Sequence, residues 1–76
     1  MKAIVEILKE IRPEFDFTAS DDFIADGMLD SFDVVTLVAT LDKIFNISIS
    51  GTDIVPEHFK NVETISALLR KTGAKL

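Results

Sequence analysis

Hydrophobic positions near the start of the chain recur at the three- and four-residue spacing of one helical face. Ile4, Ile7, Leu8 and Ile11 share that face, and Lys2, Glu6, Lys9 and Glu10 fall elsewhere. Pro13 disfavours helical geometry at Arg12, so the spacing predicts a helix that stops near Ile11. From Pro13 to about residue 30 no period holds. Pro13, Ser20, Asp21, Asp22, Asp26 and Gly27 are loop formers, yet Phe15, Phe17, Phe23, Ile24, Met28 and Leu29 are scattered among them. So long a loop is unusual in a small domain. Its apolar residues predict a segment pinned across the core.

A second helix is predicted from Ser31 to Phe45. Asp30 or Ser31 supplies the N-cap oxygen, and Asp33 sits in the first turn, where the helix dipole favours an anion. Val34, Leu37, Val38, Leu41 and Phe45 make one apolar stripe, which Val35 and Ile44 widen. A helix apolar around so much of its circumference should be central, or partly exposed for a partner. Asn46 is its expected stop.

Ile47-Ser48-Ile49-Ser50 alternates like a strand but has nothing to pair with, so it reads as extended loop with Ile47 and Ile49 turned inward. A turn follows at Ser50–Asp53. Pro56-Glu57-His58-Phe59 reads as a one-turn helix with proline at its first position. The last helix should start near Asn61 or Val62 and end at Gly73, burying Val62, Ile65, Leu68 and Leu69. The fold class is therefore all-α: a small antiparallel bundle of three main helices plus one short helix, with a long first loop. Residues 1–76 form a single domain.

Composition narrows the function. Eight basic residues against 13 acidic ones give a formal charge of −5, a poor sign for gripping nucleic-acid phosphates or anionic lipid. There is no cysteine, which removes disulfides, thiolate metal sites and thiol nucleophiles. An acid at Glu6 interrupts any apolar leader, and the most apolar stretch, Val34 to Leu41, is far shorter than the ~20 residues that span a bilayer. The expectation is a cytoplasmic protein with no membrane insertion. Conventional catalysis has little material: His58 is the single histidine and is expected at the surface, and one histidine near one serine makes no triad.

The informative run is Gly27-Met28-Leu29-Asp30-Ser31-Phe32-Asp33. A serine where a long loop meets a helix start is either a plain N-cap or an exposed point of covalent attachment, and the two roles are compatible. A phosphodiester at that place would face unpaired backbone N–H groups at the positive end of the helix.

Asp30-Ser31-Phe32-Asp33-Val34-Val35-Thr36-Leu37-Val38 resembles the phosphopantetheine attachment motif of acyl carrier proteins, Asp-Ser-Leu followed by an apolar helix. The resemblance covers nearly the whole chain: an amphipathic first helix, Phe23 in the loop before the motif, Phe45-Asn46-Ile47-Ser48-Ile49 closing the second helix, and Asn61-Val62-Glu63-Thr64-Ile65 opening the last. It implies a monomeric, non-catalytic carrier domain. A phosphopantetheinyl transferase would move 4′-phosphopantetheine from coenzyme A onto Ser31, and the arm would hold an acyl group as a thioester. Loading and acyl-transferring enzymes would dock on the second helix. Asp30, Asp33 and Asp42 would meet basic groups there, and Phe32, Val34 and Val35 would add apolar contact.

Three departures point away from a housekeeping fatty-acid carrier and towards a specialised pathway. Thr36 stands where such carriers commonly show Glu, Lys43 where acids are usual, and Asn46 where Gly is expected. Pro56-Glu57-His58-Phe59 with Asn61-Val62-Glu63-Thr64-Ile65 also resembles D-alanyl and other aminoacyl carriers, which is the alternative cargo. Two readings come from other classes. With Gly27 at the sixth position of an EF-hand loop, Asp22, Asp26, Asp30 and Asp33 fall at the first, fifth, ninth and twelfth, but Ile24 occupies the third and the twelfth lacks its bidentate Glu. The other is an unmodified helical interaction module.

Overall fold

The computed structural model describes residues 2–75. The periodic stretches become three α-helices: α1 is Lys2–Ile11, α2 is Ser31–Phe45 and α3 is Val62–Thr72. The described residues contain no strand, so the all-helical expectation holds. Ile47–Ser50 is extended chain with Ile49 buried and Ile47 half-buried. The connections carry not one short helix but three 3₁₀ turns, Phe17–Ala19, Gly51–Asp53 and Pro56–Phe59.

Each helix ends for a local reason. The last turn of α1 closes with the Arg12 amide on the Leu8 carbonyl at 2.9 Å, just ahead of Pro13. At the end of α2, Asn46 turns left-handed with φ 53° and ψ 51°. Asparagine enters this region more readily than other side-chain-bearing residues, which is why it can replace glycine there. A capping box between Asn61 and Thr64 opens α3, and Gly73 closes it at φ 101°.

The helix shared by the bundle is α1, which lies against both α2 and α3. The more apolar α2 sits at the surface and buries only Val34, Leu37, Val38 and Leu41. Val35 and Ile44 do not widen the buried stripe: they are 62% and 55% exposed. At 3.6 residues per turn each lies about a quarter turn from the centre line of the stripe. In a globule this small, no further layer exists to cover them.

The largest core side chains are not on the α-helices. Phe17, Phe23 and Phe59 are fully buried and all belong to connections. Phe17 and Phe23 meet edge-to-face with centroids 5.0 Å apart. The Phe23 amide donates to the Lys60 carbonyl at 2.6 Å, and the Phe23 carbonyl accepts from the Met28 and Leu29 amides at 2.8 and 3.2 Å. The first loop is thereby fastened to the segment before α3 and delivers the chain to Asp30 in one defined direction.

Candidate functional site

The start of α2 is built by two aspartates. Asp30 is the N-cap, and its Oδ1 accepts from the Asp33 amide at 2.9 Å. Asp33 returns the bond, its Oδ2 accepting from the Asp30 amide at 3.1 Å. This reciprocal box settles which residue caps the helix. Ser31, the first helical residue, is not needed for it. Its side chain is exposed, and its hydroxyl makes no hydrogen bond among the described residues. Neither do the Ser31 and Phe32 amides, which precede the first bonds of the helix.

A third residue closes the arrangement from the end of α1. Arg12 Nε donates to Asp33 Oδ2 at 2.8 Å, Nη2 to Asp30 Oδ2 at 3.3 Å and Nη1 to Glu14 Oε2 at 3.3 Å. Burial pushes the Asp33 carboxyl up, but hydrogen bonds from the Asp30 amide and from Arg12 outweigh it and hold the group below the usual carboxylate range. The same bond to Asp33 raises Arg12. Nothing in the residue pattern pointed to Arg12, because the two aspartates it joins lie 18 and 21 residues away.

On its other side Ser31 opens on an apolar groove of about 300 Å³, walled by Ile24 and Leu29 from the loop, Val34 and Val35 from α2, and Ile54, Val55 and Pro56 from the segment before α3. Ile24, Ile54 and Val55 had no signal in the sequence beyond being apolar. The groove needs three segments that only the fold brings together.

The other expected contact residues are placed unequally. Phe32 is 82% exposed beside Ser31, and Val35 is exposed one turn on. Val34 is buried in the core and shows only an edge to the groove. Asp33 keeps 13% of its side chain exposed and faces Arg12 rather than solvent. Asp42 is half-buried, and its Oδ1 accepts from the Ile49 amide at 3.0 Å, fastening the extended segment to α2. His58 is not a free surface residue: it is half-buried with Nδ1 2.6 Å from the Asp53 carbonyl. A carbonyl only accepts, so Nδ1 carries the proton.

The calcium-loop alignment fails on geometry. Asp22 Oδ1 accepts from the Ala25 amide, Asp26 accepts from the Ser20 hydroxyl, and Asp30 and Asp33 face Arg12. Among the described residues no three His, Cys, Asp or Glu side chains converge on one point. None of the described helices is long and apolar enough to cross a membrane.

An exposed, unengaged serine at the head of a rigidly capped helix, beside an apolar groove, is what a tethered arm requires. The family comparison decides the class, since residues 2–70 match the family model described as phosphopantetheine attachment site. The chain belongs to this phosphopantetheine-binding family. No curated protein and no solved structure gives a significant match. Members of the family carry 4′-phosphopantetheine, and its carrier domains are non-catalytic and work with transferases and biosynthetic enzymes. The residues around Ser31 fit that group: a free hydroxyl, two unpaired amides at a helix start and an apolar groove leading away.

Proposed function

We propose that Ser31 is the attachment residue and that the chain is a carrier for an acyl group in a specialised pathway. The observation that carries this reading is the capping box. It removes the ordinary structural use of a serine at a helix start, leaving the Ser31 hydroxyl exposed and chemically idle. In the modification, Ser31 Oγ would give its proton to a base of the transferase and bond to the pantetheine-bearing phosphorus of the coenzyme A pyrophosphate. The bond from that phosphorus to the adenosine bisphosphate would break. When bound, the group supplies a terminal thiol on which the cargo is held as a thioester. The chain's own residues would orient and shelter it: Asp30 and Asp33 fix the head of α2, the free Ser31 and Phe32 amides would be available to the phosphodiester, and the groove beside Val35 and Pro56 would take the apolar parts of the arm.

Incubation with coenzyme A, magnesium and a broad-specificity phosphopantetheinyl transferase tests the attachment. The expected result is a mass gain of one phosphopantetheine on the wild type and none on Ser31→Ala, with the thermal stability of the two within about 0.5 kcal/mol. Gain on Ser31→Ala, or none on the wild type, refutes it. The pathway is tested on the modified protein. Loading by adenylating enzymes supports a dedicated carrier, amino-acid substrates pointing to the aminoacyl type, and loading only by fatty-acid transacylases refutes it.

A further inference from the structure

The two walls of the groove beside Ser31 have different supports. Val34 and Val35 belong to α2, and Leu29 to the loop turn fastened at Phe23. The facing wall, Ile54, Val55 and Pro56, makes no hydrogen bond to α2 among the described residues. What holds it comes from behind. Ile54, at φ −84° and ψ 76°, is the centre of an inverse γ-turn, which the Val55 amide closes on the Asp53 carbonyl at 3.0 Å. So tight a ring bends its hydrogen bond and weakens it. The same carbonyl takes a second donor, His58 Nδ1 at 2.6 Å, and the His58 amide donates to the Val55 carbonyl at 3.1 Å. His58 thus grips the turn on both sides of Ile54, through its ring at Asp53 and its backbone at Val55.

The ring of His58 does not line the groove. It lines a separate hollow with Thr64, Ala67, Leu68 and Lys71 of α3. From α3, Lys71 Nζ also reaches the Asp53 carboxylate at 3.0 Å, but Lys71 is largely exposed and such a pair adds little. Nor does the fold depend on the histidine ring, because the neighbouring Phe59 is fully buried and anchors the Pro56–Phe59 turn in the core. We propose that His58 is a positioning residue for the arm. Its Nδ1–H fixes the turn at Ile54, the turn fixes how closely Ile54 and Val55 face Val34 and Val35, and that spacing keeps the installed arm beside α2. The proposal rests on Ser31 being the attachment residue and on the groove taking the arm.

The test compares backbone amide shifts of isotope-labelled protein before and after the arm is installed with a broad-specificity transferase, coenzyme A and magnesium. In the wild type, Val35, Ile54 and Val55 should shift on installation. Asparagine carries an amide N–H close to the place of Nδ1, so His58→Asn should keep these responses. His58→Leu has bulk but no donor. It should lose the Ile54 and Val55 responses while Phe32, next to the attachment point, still reports the arm. Before installation, exchange of the Val55 amide in His58→Leu should quicken roughly tenfold, as the loss of one ordinary hydrogen bond allows. A role confined to stability would lower the melting temperature of His58→Leu and leave its response to the arm intact, and that result overturns the proposal. So does a neutral His58 ring protonated at Nε2 in the wild type, read from the imidazole nitrogen spectrum, which needs no variant to fold. If the wild-type Ile54 and Val55 amides ignore an installed arm, the groove does not take it, and this inference falls while the Ser31 attachment stands. A wild-type chain that accepts no phosphopantetheine removes the attachment reading itself and this inference with it.

Discussion

Two aspartates in one motif do different work at the residue scale. Asp30 is exposed and caps α2; Asp33 is covered and answers it from one turn on. In Asp30→Ala the Asp33 amide loses its acceptor and the box opens. The expected cost is about 1 kcal/mol, which in a domain of this size lowers the melting temperature by about 4–8 °C. A urea midpoint measured alongside should fall with the m-value unchanged, since the exposed area on unfolding is the same. An unchanged midpoint would mean that Ser31 or solvent caps the helix equally well.

At the scale of elements, the first loop behaves as part of the core although it has almost no regular structure. Phe17 and Phe23 fill the space between helices, and the Phe23 backbone bonds both ahead to the 28–29 turn and across to Lys60. Phe23→Ala should therefore cost about 3–5 kcal/mol, a large share of the total stability of a small domain. Phe32→Ala, with the same atoms removed from an exposed site, should stay within about 0.5 kcal/mol. Chemical denaturation of the pair checks this contrast. Periodicity could not supply it: the three buried phenylalanines follow no helical spacing, whereas Phe32 sits on a helix whose inward and outward faces both carry apolar residues. The groove beside Ser31 was hidden for the same reason, because Ile54 and Val55 come beside Val34 and Val35 only when the segment before α3 folds back against α2.

For the whole molecule, acid should unfold the protein partly through Asp33 and Asp16. Both carboxyls are held below their ordinary value near 3.8, Asp16 by hydrogen bonds from the Thr18 hydroxyl and amide, Asp33 as described. On acidification the unfolded chain takes up these protons first, at about pH 4, while the folded chain resists. The stabilisation is thus complete well above pH 4 and is lost as the pH falls towards the folded values. Asp33→Asn removes one contribution, so its deficit in urea midpoint should be largest near neutral pH and shrink towards pH 3, as estimated from the ordinary carboxylate range. A deficit that does not vary with pH would show that the charge of Asp33 is not what stabilises the α1–α2 junction.

The amino-acid sequence by itself determined the helices, their ends, and the residue at the head of α2. These depend on neighbours three or four positions apart, on Pro13, Asn46 and Gly73, and on a short motif, all of which are local. Tertiary structure decided the rest. It chose Asp30 over Ser31 as the cap, turned Phe32 outward and Phe23 inward, brought Arg12 to the two aspartates, and closed the groove with Ile54 and Val55. Each of those outcomes depends on which surfaces remain for water once the helices have packed, a competition among all segments at once that no local spacing records.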